Sequence, residues 1–319
     1  MQFSSLRKAY GEALVALGRE DDRIVVLEAD LGKSTMSAMF QDVFPQRYFE
    51  MGIAEQNMLS TAAGLALAGK IPFASSFAVF ASGRAYDQIR QTISTASLNV
   101  NICGSSSGLS DFGDGSTHQA IEDVAIMRAI PNMTVLVPLD AVQTSMMVRA
   151  AANHPGPVYI RVNRNDLPIY TDENSGFEIG KAYILRAGTD AVVFANGVMI
   201  GKAMEAADIM AQEGLSVEVV NVCSVKPLDE AAIRTEARKC GAVVVAEEHS
   251  MIGGLGSAVA ECLRMEKIPL DLVGIADRFG TSAENYGELL DYYGLTTDAI
   301  IRAIRKTRSA RQRNTRLWL

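Results

Sequence analysis

Ile24-Val25-Val26-Leu27, followed by Glu28-Ala29-Asp30, is the stretch that decides the fold class. Four apolar residues in a row, three of them β-branched, show no polar alternation. They read as a strand buried on both faces. Before them, Phe3, Leu6, Tyr10, Ala13, Leu14 and Leu17 recur at helical spacing. The same unit recurs outward along the chain. Tyr48–Met51, Ile71–Ala74, Leu98–Cys103, Met133–Val137 and Val158–Val162 read as buried strands, with helical stretches near 55–68, 83–96, 119–129 and 141–152. After Pro168 comes a polar, turn-rich run, Tyr170-Thr-Asp-Glu-Asn-Ser-Gly176, which marks a linker. A second series follows, with strands near Ala191–Ala195, Val217–Val222, Ala242–Ala246 and Leu270–Ile275. Its helices lie near 200–213, 229–239, 256–265 and 296–306. The expectation is an α/β protein of two parallel-sheet domains, 1–168 and 181–319, joined by a linker over 169–180.

Composition agrees and excludes other classes. The 319 residues are 48% hydrophobic and 21% charged, enough for two buried cores and too apolar for disorder. No apolar run approaches the ~18 residues of a membrane span, and the N-terminus does not read as a signal peptide. Cys103, Cys223, Cys240 and Cys262 show no paired spacing, so they read as buried thiols of a reducing compartment, the cytoplasm. The net charge of -7 hides an asymmetry. From Arg302 onward the chain holds seven basic residues and no acid, leaving a body with 23 basic and 37 acidic residues, net -14. Such a body should repel nucleic acid. The basic end reads as a solvated helix end followed by a frayed terminus.

In parallel sheets, ligands sit at the carboxyl ends of strands. Four segments there carry chemistry. Glu28-Ala-Asp30 is the first. Gly52-Ile53-Ala54-Glu55 puts a carboxylate where a strand gives way to a helix. Glu55 is either a buried acid kept protonated for a partner or an ordinary acid at a helix N-terminus, and spacing alone favours the second. Phe77-Ala-Val-Phe80 forms either a stacking wall for a flat ring or a pair of core aromatics. Gly104 to His118 is a long polar, glycine-rich loop ending in one of only three histidines. His118 beside Asp114 suits proton donation or substrate binding. His154 reads as a turn residue, and His249 fits either role. Gly253-Gly-Leu-Gly256 lacks dinucleotide spacing and reads as a tight strand-to-helix turn.

In order along the chain stand Gly52-Ile-Ala-Glu55-Gln-Asn-Met, Ser76-Phe77-x-x-Phe80, Asp114-Gly-Ser-Thr-His118-Gln, Ile130-Pro-Asn-Met, Val137-Pro, Arg161-x-x-Arg164, Lys226-Pro-Leu-Asp229 and Glu247-Glu-His-Ser-Met-Ile-Gly-Gly-Leu-Gly256. This ordered set resembles the second half of a transketolase over nearly the whole chain. The resemblance implies thiamine diphosphate as cofactor, with a divalent cation, magnesium or calcium. By that resemblance, Glu55 is the acid on the pyrimidine ring nitrogen, Phe77 and Phe80 are the wall beside the ring, and Asp30 is a further cofactor contact. Asp114 and His118 match residues that meet substrate hydroxyls, with His118 and Glu55 as the catalytic pair. Arg7, Ser34 and Arg164 match positions that hold a sugar phosphate, a task suited to arginine's paired donors.

Two departures stand out. Where the family has another histidine, this chain has Ser105-Ser106-Ser107. The family's diphosphate signature, Gly-Asp-Gly followed by paired asparagines, is missing, because no Asn-Asn follows Gly113-Asp114-Gly115. Metal ligands are therefore expected from a separate N-terminal transketolase subunit, in a homodimer-based heterotetramer. The expected function is transfer of a two-carbon ketol unit between a ketose phosphate and an aldose. The small-residue helix after Glu55 is a candidate contact surface. Rival readings are the beta subunit of a 2-oxo acid dehydrogenase E1, a deoxyxylulose-phosphate-synthase-like carboligase, and a non-catalytic regulatory module.

Overall fold

The structure is a computed structural model that describes residues 2–316, with side chains described to Arg313. The first half runs β1 (Phe3–Ser5), α1 (Leu6–Glu20), β2 (Ile24–Glu28), α2 (Gly32–Thr35), α3 (Ala38–Val43), β3 (Tyr48–Glu50), α4 (Glu55–Leu67) and β4 (Ile71–Phe77). Next comes a helical stretch from Phe80 to Ser94, made of wide π turns around one short α segment, α5 (Tyr86–Gln88). Then follow β5 (Asn101–Ser105), α6 (Asp123–Ala129), β6 (Thr134–Leu136), α7 (Ala141–Ala152), β7 (Val158–Arg161) and β8 (Asp166–Pro168). The second half runs β9 (Tyr183–Arg186), β10 (Ala191–Ala195), α8 (Met199–Gln212), β11 (Val217–Asn221), β12 (Ser224–Lys226), α9 (Glu230–Cys240), β13 (Val243–Ser250), α10 (Leu255–Cys262), β14 (Leu270–Ile275), α11 (Tyr286–Tyr292) and α12 (Thr297–Arg316).

Seven strands form one sheet in the order β12-β6-β7-β5-β4-β2-β3, and five form another, β14-β13-β10-β11-β9. All of β2 is buried, as its unbroken apolar run requires. The sheets are parallel apart from one edge strand each: β12 runs antiparallel to β6, and β9 antiparallel to β11. Both edge strands are too short and mixed in composition to show in the sequence. Strand β12 also crosses from the second half of the chain into the first half's sheet. β1 and β8 make a small antiparallel pair of their own.

Several boundaries differ from the sequence reading. Phe3 lies in β1 and is exposed, so α1 buries its face through Leu6, Tyr10, Ala13, Leu14 and Leu17 without it. The Ser5 hydroxyl caps α1 by accepting from Lys8 N. Helix α6 begins at Asp123 instead of 119, because residues 119–122 serve the preceding loop. Its neighbour strand starts at Asn101, three residues later than expected. The 170–176 run is pinned at its start. The Asp140 carboxylate, which caps α7, also accepts from Tyr170 N, Thr171 N and Thr171 Oγ1.

The two halves are not independent bodies. One apolar cluster runs without a break from Val25, Met58 and Ile102 to Phe194, Val220 and Val245. Beside it lies a buried ion pair. Arg161 Nε donates to both oxygens of Asp123, and Tyr159 Oη donates to Asp123 Oδ2. The same guanidinium reaches the Glu248 carbonyl in the other half at 2.9 Å. The basic tail is a helix stitched to the acidic body: Arg305 to Glu213, Lys306 to Asp271, and Arg308 to Asp190. The expected fraying at the terminus lies outside the described residues. No helix among the described residues is long and apolar enough to cross a membrane.

Removing one partner of the buried pair leaves an uncompensated charge. Asp123→Ala is expected to cost about 3–5 kcal/mol of unfolding free energy. Chemical denaturation measures it, and a loss below about 1 kcal/mol would show that the pair is not structural.

Candidate functional site

The chain order reverses at β2, with β3 on one side and β4 on the other. At such a point the carboxyl ends of neighbouring strands diverge and leave a crevice. Here Glu28, Phe77 and Ser105 end the strands that open on it.

One end of the crevice gathers a buried acid and two aromatic rings. Gly52 takes a φ of +66°, which turns the chain after β3 and delivers Glu55 as the first residue of α4. Glu55 is 1% exposed, and both its oxygens accept from Arg84 Nη1, at 2.8 and 2.9 Å. The Arg84 guanidinium lies 4.5 Å over the Phe80 ring. Phe80 and Phe77 stand nearly parallel, and His118 meets both edge-on, 5.3 Å from the Phe80 centroid. The π turns between Phe80 and Arg84 are a helix distortion common at functional sites.

The other end is polar and charged. Arg7 Nη1 donates to the Ser34 carbonyl at 2.7 Å. Arg164 Nη1 donates to Asp111 Oδ2 at 2.7 Å, and its guanidinium sits 5.9 Å from the Phe77 centroid. Burial raises the Asp111 carboxyl above the usual range; Arg164 opposes the shift and Asp114 adds to it. Burial, and then repulsion from Arg164, lower Arg7. The crevice thus brings together Glu55, Phe77, Phe80, Asp114, His118, Arg7, Ser34 and Arg164. Asp30 follows β2 in left-handed backbone, its side chain exposed and its N–H held by Glu50 Oε1.

Residues of the second half hold the loop that carries Asp111 and His118. Glu248 Oε1 accepts from Leu109 N at 2.8 Å, and Oε2 accepts from Asn163 Nδ2 at 3.2 Å. The approach is so close that a Cβ on Gly108, where φ is +63°, would stand 2.4 Å from the Glu248 carboxyl carbon. Gln119 Nε2 donates to the carbonyls of Asp111 and Thr281 and ties the loop's end to the second half. Burial pushes both Glu248 and Glu28 up to about 7.

Sequence reasoning gave Arg84, Asp111 and Glu248 no role of their own, and marked Glu28 only as part of the Glu28-Ala-Asp30 segment. For Glu248 a signal existed, a doubled acid at a strand's end. For Arg84 and Asp111 the partner is fixed only by folding. Of the remaining candidates, His154 lies in a turn against Thr134. His249 Nε2 accepts from Ala125 N, which leaves Nδ1 to donate to the Ser250 carbonyl, a structural role. The glycine turn before α10 wraps the Glu247 carboxylate, which accepts from Leu255 N and Gly256 N. The four thiols are free and buried, and burial pushes Cys223 up to about 12, which makes it inert. Among the described residues, no group of three or more His, Cys, Asp or Glu could hold a metal ion.

Comparison with known proteins gives this geometry its setting. Residues 4–169 match the family model of the transketolase pyrimidine binding domain, and residues 180–300 match that of the transketolase C-terminal domain. The chain belongs to the transketolase family. A putative transketolase C-terminal section from Methanocaldococcus jannaschii is 45% identical over 306 residues, covering 95% of this chain and 96% of that one. A 6-deoxy-6-sulfo-D-fructose transketolase subunit from a Clostridium species is 45% identical over 300 residues, covering 93% and 92%. A solved split-gene transketolase, an inactive beta4 tetramer, superposes with a TM-score of 0.87 at 48% identity over 96% of this chain and 98% of that one. Human transketolase is 38% identical over 303 residues, yet the match spans only 48% of its length. The chain is a transketolase subunit of the split type, and the family implies thiamine diphosphate as cofactor.

The buried acids give a pH dependence. A carboxyl raised in the folded state favours folding fully below its unfolded value near 4.5. It loses that contribution as pH rises through the folded value of about 7. Stability should therefore fall between pH 5 and pH 8, and Glu248→Gln should flatten part of that slope. Thermal unfolding across that range measures it, and an unchanged slope in the variant would remove Glu248 from the account.

Proposed function

We propose that this chain supplies one wall of a thiamine diphosphate site and transfers a two-carbon ketol unit between a ketose phosphate and an aldose. A separate subunit carrying the Gly-Asp-Gly and Asn-Asn signature would hold the diphosphate and its cation, magnesium or calcium. The observation that carries the reading is the buried Glu55 carboxyl beside Phe77, Phe80 and His118 on one crevice. A buried carboxyl, two aromatic faces and an edge-on imidazole fit an aminopyrimidine. When bound, thiamine diphosphate supplies the electron sink for the two-carbon unit.

The chain's own residues take the other tasks. Glu55 holds a proton at the ring nitrogen, and its burial keeps water away from that contact. Arg84 occupies the same carboxylate and the same Phe80 face, so it moves aside when the ring enters. His118 and Asp114 orient substrate hydroxyls, and His118 stands ready to move a proton. Arg7, Ser34 and Arg164 receive the far end of the sugar. Asp30 lies beyond β2, toward the cofactor. The domain boundary falls within 169–180. Ser60, Gly64 and Leu67 line the outer face of α4, and with the exposed Ile53 they suit contact with another subunit. Dimers of this chain with two partner subunits would make a heterotetramer, and the buried thiols fit the cytoplasm.

The test is reconstitution with the partner subunit. Ketol transfer is expected, with no oxidative decarboxylation of pyruvate. Glu55→Gln should lower transfer by at least about 100-fold, the range for loss of a proton-handling group. Undiminished transfer by that variant would defeat the catalytic reading. The chain alone should bind thiamine diphosphate weakly in calorimetry, and tight metal-dependent binding without the partner would refute the shared site.

A further inference from the structure

Arg7 and Arg164 are the two cations at the far end of the crevice, and acids surround them. Arg164 makes a charge-assisted bond to Asp111, which is 3% exposed. Asp114 and His118 lie close enough to act on Asp111, and Asp166 acts on Arg7. Arg164 is therefore balanced by a buried partner, and Asp114 and Asp166, both exposed, add weaker negative charge nearby. A phosphate dianion entering here gains two cations and meets the repulsion of Asp111 and Asp114 at the same moment. The unmet hydrogen-bonding capacity is of another kind. Arg7 Nε is buried without a hydrogen-bond partner among the described residues. So are the hydroxyls of Ser105 and Ser106, both in the segment that begins the same loop. Buried groups of this sort are stabilised by a ligand that brings hydrogen bonds, whether or not it brings charge.

We propose that Asp111 determines the substrate class: by balancing Arg164 it lets sugars with an uncharged or singly charged end compete on near-equal terms with a phosphate dianion. This rests on the transketolase reading and refines it. Asp111 acts through Arg164, so it is a specificity-determining residue and not a catalytic one.

The experiment uses the enzyme reconstituted with its partner subunit, one aldose acceptor, and two donors, D-xylulose and D-xylulose 5-phosphate. In the native chain the two kcat/KM values should lie within about tenfold of each other. Asp111→Asn and Asp111→Ser free Arg164, and each should raise the preference for the phosphate donor at least tenfold, through a lower KM at little-changed kcat. Asp111→Glu keeps the charge and should keep the native ratio. An equal loss with both donors, or an unshifted ratio, overturns the assignment. So does a native preference for the phosphate donor above 100-fold, which needs no variant. Absence of transfer from both donors, with transfer from another ketose, overturns this inference and leaves the transketolase reading in place.

Discussion

A guanidinium taken out of water must be paired, and Arg161 is 5% exposed. Its carboxylate partner, Asp123, opens α6. Its other acceptors are the Ala120 carbonyl and, from a strand of the other sheet, the Glu248 carbonyl. The ion pair lies within the first half, and parting the halves would take from the buried guanidinium its bond to the Glu248 carbonyl. The geometry of the crevice follows from that pairing. With β13 held against β7, the Glu248 carboxyl reaches Leu109 N and Asn163, and the long loop is clamped from a sheet to which it does not belong. The second half is thus part of the site's construction although most of the candidate side chains lie in the first.

Continuous apolar runs made the architecture legible. Ile24–Leu27 and Ala191–Ala195 are buried throughout, and no other element type accommodates them so well. What escaped was structure whose stability comes from a distant partner. Ser224–Lys226 has no strand pattern of its own, and it pairs with β6 because that edge is there to be paired. Gln119 to Glu122 continue a helical periodicity, but Gln119 is drawn into two loop carbonyls and the helix starts later. Periodicity reports the chain's own preference. It says nothing of a competing bond offered by the other half.

The candidate site divides in the same way. Glu55, Phe77, Phe80 and His118 stand in motifs, so their order along the chain marks them. Asp111 and Arg84 lie outside the transketolase-like motifs, and their significance is electrostatic. Each places an opposite charge on a residue that a motif names: Asp111 on Arg164, Arg84 on Glu55. The same balancing governs the tail, where a basic helix is matched against acids of the body. The overall -7 conceals an internally paired distribution.

Arg84 shows what such pairing does to a pocket. Its guanidinium is flat, it donates to both oxygens of Glu55, and it lies over Phe80. These are the contacts that a protonated-acid partner and a stacked ring would otherwise divide between them. A buried carboxylate with no such neighbour would bear its full desolvation cost until a ligand arrived. With Arg84 in place the cost is offset in the chain by itself, and the offset must be exchanged for the ligand's contacts. Arg84 remains 45% exposed on its side chain, so it has water to move into. The Glu55 carboxylate is thus satisfied by the chain's own Arg84.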